Sequence, residues 1–138
     1  MSLLTLAGVT AFYGPSQALH GVDLAMCEGE VRALMGRNGM GKTTTVKVIC
    51  RIVRETSGQV TFAGQDLAQV PSHKAARLGL GLVPEGRRIF GNLTVAENLI
   101  AAARPGPWSR QRVEDLFPRL GERMGQGAGT LSGGEQQM

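Results

Sequence analysis

Eight consecutive residues carry the most specific chemistry in the chain: Gly36, Arg37, Asn38, Gly39, Met40, Gly41, Lys42 and Thr43. They fit the pattern GxxxxGK[ST]. Glycines at these spacings let the backbone curl until successive N–H groups converge on one anion, and a helix starting at the lysine adds the positive end of its dipole. Lys42 is long enough to reach the outer phosphates of a nucleotide, and the Thr43 hydroxyl can ligate Mg²⁺. With Thr44 directly behind it, this loop reads as a nucleotide-phosphate site. A second anion site stands near the other end, in Leu131-Ser132-Gly133-Gly134-Glu135-Gln136. Ser132 and Glu135 have the S-x-x-E spacing of a capping box, which marks a helix N-terminus, and the two glycines between them expose backbone N–H groups.

A phosphate loop by itself does not separate kinases, GTPases, recombinases and transport ATPases. Joined to the 131–136 string, in that order, it resembles the ABC (ATP-binding cassette) ATPases, and the resemblance runs the length of the chain. It implies an α/β fold: a P-loop NTPase core of ABC type with an antiparallel β subdomain and a helical subdomain. ATP and Mg²⁺ are the implied ligands. Ser132, Gly133, Gly134 and Glu135 would face the γ-phosphate held by a second ABC ATPase subunit, identical or paralogous, so that two chains close over two nucleotides.

Further positions extend the resemblance. Tyr13, in Phe12-Tyr13-Gly14, is similar to the aromatic residue that stacks on adenine; local packing of a strand-end tyrosine is the alternative. Glu85 stands where most members carry the Q-loop glutamine. A carboxylate can accept from a metal-bound water but cannot donate as an amide does, and a solvated turn residue is the alternative. The string VPEGRRIF followed by LTVAENL resembles one branch, the ATPase subunits of branched-chain amino acid importers. That branch implies coupling of ATP binding and hydrolysis to amino acid uptake, docking on membrane permease subunits, and a cytoplasmic position on the inner face of the membrane. ATPases for urea uptake or lipid export share the two glycine motifs, and only the 83–99 string argues against them. No NKxD base-reading motif of a GTPase and no lid-like arginine pattern of a kinase follows the loop.

The family also carries, after the signature, an apolar strand ending in Asp-Glu and then a switch histidine. No such strand occurs here, and Glu114-Asp115 has the reverse order in a charged segment. The expected domain is therefore incomplete at its C-terminus, with no catalytic carboxylate of its own. Mg²⁺ would have only Thr43 and phosphate oxygens. A nucleotide-binding or permease-docking fragment without hydrolysis is the alternative reading, and low stability in isolation is expected because the 31–35 strand would lack neighbours.

Composition agrees with one folded, water-facing chain. Of 138 residues, 42% are apolar, enough to support a core and too many for a disordered tail. The net charge of +4 is spread thinly, with Arg87-Arg88 a rare adjacent basic pair and no aromatics interleaved, so a nucleic-acid partner is not expected. The start of the chain lacks a basic n-region, and no apolar run approaches the roughly 20 residues of a membrane span. Cys27 and Cys50 stand apart, outside any CxxC spacing, and His20 and His73 lack companions at metal-ligand spacing.

The elements that must position these residues follow from pattern. Leu4, Leu6 and Val9 mark a first strand, residues 13–16 a turn, and 18–24 a second strand. The apolar run 31–35 predicts a buried parallel strand leading into the loop. A helix is expected over 43–53, with Val46, Ile49 and Val53 inward, then a strand over 59–64. A short helix capped by Ser72 should stop at Gly79, and 80–83 should form a strand. The Thr94/Glu97 capping box predicts a helix reaching Ala103, followed by a helix over 109–120 around Val113, Leu116 and Phe117. Trp108 reads as a lid on the small helical core or as a contact anchor. The expected division is 1–85 for the nucleotide-binding core and β subdomain, 86–131 for the helical subdomain and 132–138 for the start of the signature helix.

Overall fold

The structure, a computed structural model, describes all 138 residues, which divide into two compact units, Met1–Leu82 and Val83–Met138. In the first unit, β1 (Ser2–Tyr13) and β2 (Ser16–Cys27) form a long hairpin closed by Gly14-Pro15. Next come α1 (Lys42–Ile49), β3 (Ser57–Phe62), β4 (Gln65–Asp66) and α2 (Ser72–Arg77). The four strands make one antiparallel sheet in the order β2-β1-β3-β4.

A change of register in β1 decides what this sheet buries. Leu4 and Leu6 sit at even positions, Val9 and Ala11 at odd ones, yet all four are buried. Strict alternation would send one pair to solvent. The irregularity lies between Leu6 and Val9 against β2, and between Ala7 and Thr10 against β3. Gly8 sits there at φ +56, and its N–H donates to Asp23 Oδ1 at 2.7 Å. One extra residue flips the parity, so both apolar pairs face the core. Across the bulge, Gly58 packs so closely on the Ala7 and Gly8 carbonyls that a Cβ would stand 2.5–2.6 Å from them. The core collected this way is Leu4, Leu6, Val9, Ala11, Leu19, Val48, Val60 and Leu67.

Helix α1 is shorter than its apolar pattern suggests, and its inward face is rotated. Thr44, Thr45 and Val48 are its buried residues; Ile49 and Val53 only edge the core. The helix ends because Arg51 adopts φ +60. The N–H of Arg51 donates to Val48 O at 3.0 Å and that of Ile52 to Lys47 O at 2.9 Å, the paired bonds of a Schellman stop. Arginine replaces the usual glycine there, and its buried side chain explains why. The guanidinium pairs with Glu55 and donates to the carbonyls of Ala68 and Val70, pinning the segment between β4 and α2.

Two expected strands are absent. Residues 31–35 and 80–83 are irregular, and Val31 and Met35 are 95% and 88% exposed. A strand exists only when its backbone is laddered, and no segment of this chain pairs with either run. The sheet is accordingly antiparallel throughout. Helix α2 starts at Ser72 itself, with Pro71 in the capping position and no side-chain cap; Gly79, at φ +112, follows its end.

The second unit contains α3 (Val95–Ala102), α4 (Arg110–Leu116), α5 (Pro118–Gly121), a 3-10 turn (Ala128–Thr130) and α6 (Gly133–Gln137). The expected 109–120 helix is split at Phe117, because Pro118 disfavours helical geometry in the residue before it and starts α5 at its own first position. Val95, Leu120 and Leu131 form the buried cluster, edged by Leu99, Phe117 and Met124. Trp108 is not part of it. It is 56% exposed, carries the Arg112 guanidinium 4.5 Å over its ring, and lines an apolar cleft of about 340 Å³ with Leu99, Ile100 and Val113.

Candidate functional site

The loop of residues 36–41 runs out from 31–35 and ends at Gly41, the N-cap of α1, in left-handed geometry at φ +83. A Cβ at Gly41 would lie 2.7 Å from both Ala18 O and Leu19 Cδ2, so only glycine lets the loop pass this close to β2. Gly39, at φ +82, serves the turn in which Met40 N–H donates to Arg37 O at 3.3 Å. Arg37, Asn38, Gly39 and Met40 are all exposed.

Lys42 closes the loop on itself. Its ammonium donates to Gly36 O at 2.5 Å and Arg37 O at 2.7 Å. An ammonium has three donors, so one remains for an anion while the charge stays at the loop mouth. Helix α1 has no side-chain cap and no acidic residue in its first turn. Its first N–H groups are thus left for an external acceptor, and its dipole favours a negative one. Thr43 is exposed on the first turn, whereas Thr44 and Thr45 face inward. The Thr45 hydroxyl donates to Gly41 O at 2.9 Å, which fixes the loop's last carbonyl.

Tyr13 belongs to the same constellation. It ends β1, is 47% exposed, and its hydroxyl accepts a 3.5 Å contact from the Thr44 hydroxyl. That link places an open aromatic ring beside the first turn of α1. Sequence reasoning selected both residues but not their connection, which depends on how the β1–β2 hairpin lies against α1.

Glu85 and the 131–136 string belong to the second unit. Glu85 is exposed in the irregular segment before α3. At α6 the capping box is complete: Glu135 N–H donates to Ser132 Oγ at 3.4 Å, and Ser132 N–H to Glu135 Oε2 at 2.9 Å. The box occupies the third N–H of the helix, leaving those of Gly133 and Gly134, the first two, outside it. Glu135 titrates below the ordinary carboxylate value, chiefly because Ser132 N–H donates to it, then through the Ser132 hydroxyl and the charges of Arg123 and Arg119.

Two residues to which sequence reasoning gave no role in the site also shape this turn. The Gln136 amide donates to Leu131 O at 3.1 Å and Ala128 O at 3.3 Å, folding the helix back on its approach. The Arg87 guanidinium lies against Gly133. Gln136 closes the 131–136 string and could have been suspected as a helix-start amide; Arg87 stood out only as half of the Arg87-Arg88 pair, which does not point to Gly133.

No group of three or more His, Cys, Asp or Glu side chains is arranged to hold a metal. A single hydroxyl such as that of Thr43 suits Mg²⁺ only where phosphate oxygens and water complete the octahedron, which is how this ion is ordinarily held at phosphates.

The comparisons with known proteins point the same way. Residues 19–138 match the ABC transporter family. The high-affinity branched-chain amino acid transport ATP-binding protein BraG of Pseudomonas aeruginosa is 42% identical over 144 residues, covering 99% of this chain and 60% of that protein. A probable branched-chain amino acid transport ATP-binding protein, LivF of Archaeoglobus fulgidus, is 36% identical with the same coverage. Among solved structures, an ATP-binding subunit of an ABC transporter superposes with a TM-score of 0.82 at 29% identity, over 99% of this chain and 58% of the other. The chain thus spans about 60% of the length of these relatives.

Proposed function

This chain belongs to the ABC transporter family, and on that premise we propose that it binds ATP through residues 36–44 as part of an ATP-binding subunit of an amino acid importer. The observation that carries the reading is the geometry at α1: a glycine-capped helix start with free N–H groups and the Lys42 ammonium folded over the loop mouth. Those donors suit the β- and γ-phosphates, and the Tyr13 ring suits adenine stacking. Mg²⁺ would be held by the Thr43 hydroxyl and phosphate oxygens, where it would neutralise charge on the phosphates. Glu85 would meet the water around that ion.

The Ser132–Glu135 turn would act on nucleotide held by a second ATPase subunit, through the N–H groups of Gly133 and Gly134. Membrane permease subunits are the further partners, reached from the cytoplasmic side. No helix of the chain is long and apolar enough to cross a membrane. Branched-chain amino acids are the favoured cargo class, since the two relatives described carry that substrate in their names.

The test is a titration with a fluorescent ATP analogue with and without Mg²⁺, alongside ATP turnover. Saturable binding is expected, with Lys42→Ala weakening it at least about tenfold, the scale of a lost charge-assisted contact. Binding unaffected by Lys42→Ala overturns the assignment. Binding without turnover would support a nucleotide-binding piece over a complete hydrolase.

A further inference from the structure

We propose that Arg87 is a positioning residue for the signature turn, bracing Gly133 with the flat face of its guanidinium. The proposal rests on the reading of the Ser132–Glu135 turn as the surface that acts on nucleotide. A Cβ built on Gly133 would lie 2.5 Å from Arg87 Cζ and Nη1 and 2.6 Å from Nη2. A side chain at position 133 would therefore push this flexible guanidinium off the turn. Around the turn, the neighbouring glycine differs: a Cβ on Gly134 meets nothing within 4 Å. The contact is thus specific to one of the two glycines.

The backbone is bent to deliver this contact. Gly86 and Arg87 both have positive φ, +88 and +51, and Ile89 N–H donates to Arg87 O at 2.8 Å across a three-residue turn. A left-handed conformation disfavours a side-chain-bearing residue by roughly 1–2 kcal/mol, so the surrounding structure must hold it. It does so just downstream. Asn98 clamps Phe90 by accepting from its N–H at 2.9 Å and donating to its carbonyl at 3.0 Å. Gly129 N–H donates to Gly91 O at 3.1 Å, and a Cβ on Gly129 would meet Gly91 O at 2.9 Å. The segment bearing Glu85 and Arg87 and the approach to the signature are therefore built on one frame, and Arg87 is the side chain that reaches from it to Gly133.

The guanidinium is also uncommitted. No hydrogen bond or ion pair ties it within the chain, in contrast to Arg51, Arg110, Arg112 and Arg123. What holds it against Gly133 is shape: a planar, weakly hydrated group lying on a residue without a side chain. A shift of the Glu85 segment would move this brace and change the freedom of the signature turn.

A double-mutant cycle read by amide exchange of residues 131–135 tests the contact. Gly133→Ala alone should raise exchange about tenfold, because the methyl displaces the bracing guanidinium; in the Arg87→Ala background the same change should be under about twofold. Additive effects overturn the proposal. The same exchange readout tests the group: Arg87→Ala should raise exchange of residues 131–135 about tenfold, and Arg87→Lys should not restore protection, because an ammonium has no planar face. Rescue by lysine, or unchanged exchange, overturns positioning by the guanidinium. The same titration keeps the two readings apart. If the wild-type chain fails to bind ATP, the nucleotide assignment fails and Arg87 has no role in turnover, whereas normal ATP binding with an additive cycle overturns the Arg87 proposal alone.

Discussion

Arg51 shows how much one side chain can settle. Its backbone ends α1, and its guanidinium, with the side chain 1% exposed, pairs with a Glu55 side chain that is 8% exposed. The same group donates to Ala68 O and Val70 O, so it joins α1 to the segment after β4. Removing one member of such a pair leaves the other charge buried without compensation. Arg51→Met is expected to destabilise the first unit by about 3–5 kcal/mol in urea unfolding, and adding Glu55→Met should recover most of that loss. A loss under about 1 kcal/mol would mean that water reaches Glu55 once the arginine is gone.

At the scale of the element, the two helices that start with a capping box, α3 and α6, depend on reciprocal side-chain bonds rather than on length. In α3, Thr94 caps the third N–H, Val95 N–H donates to Gln126 O and Ala96 N–H donates to Met124 O, both at 3.0 Å. All three leading donors are thereby satisfied, one by the box and two by the chain that leads to the signature. Thr94→Ala is expected to cost about 1 kcal/mol, measured by denaturant unfolding of the second unit. Glu97 and Glu135 both titrate low, held first by the backbone N–H of Thr94 and Ser132 respectively. A lowered carboxylate stabilises the fold above its unfolded value, near 4.5 for glutamate, and that contribution disappears as pH falls through the lower folded value. Acidification through this window should therefore fray the starts of α3 and α6 together, visible as loss of amide protection at Glu97 and Glu135. Protection unchanged to pH 2 would show that the boxes hold without ionised glutamates.

Across the whole molecule, burial divides unevenly. The first unit collects eight buried apolar residues from three strands, a helix and a loop, while the second has three at the centre of its cluster. Apolar residues in 31–35 contribute nothing to the first core, although their pattern suggests a central strand. Replacing Val31 by Thr together with Met35 by Gln should change unfolding free energy by about 0.5 kcal/mol or less. Leu6→Ala, at a site 2% exposed, should cost about 2–5 kcal/mol. Chemical unfolding of the three proteins checks the contrast, and a large loss from the Val31 and Met35 pair would place that segment in a packed sheet.

What the amino-acid order determined by itself was the set of features encoded within three or four neighbouring residues. The 36–43 loop, the hairpin turn at Gly14-Pro15 and the capping boxes at Thr94 and Ser132 are of this kind, because backbone freedom, ring constraint and i to i+3 hydrogen bonds need no distant partner. The break at Pro118 was equally local and was there to be read from the proline alone. Tertiary structure decided the rest. The parity change at Gly8 exists because both flanking strands must accept it, and the rotation of α1 exists because Val48, rather than Val46, meets the sheet. The burial of Arg51 depends on carbonyls at Ala68 and Val70. The contact of Arg87 with Gly133 joins residues whose separation leaves no local periodicity to detect. A strand such as the one expected at 31–35 is likewise a property of two segments, since an apolar run becomes a strand only when another backbone completes its hydrogen bonds.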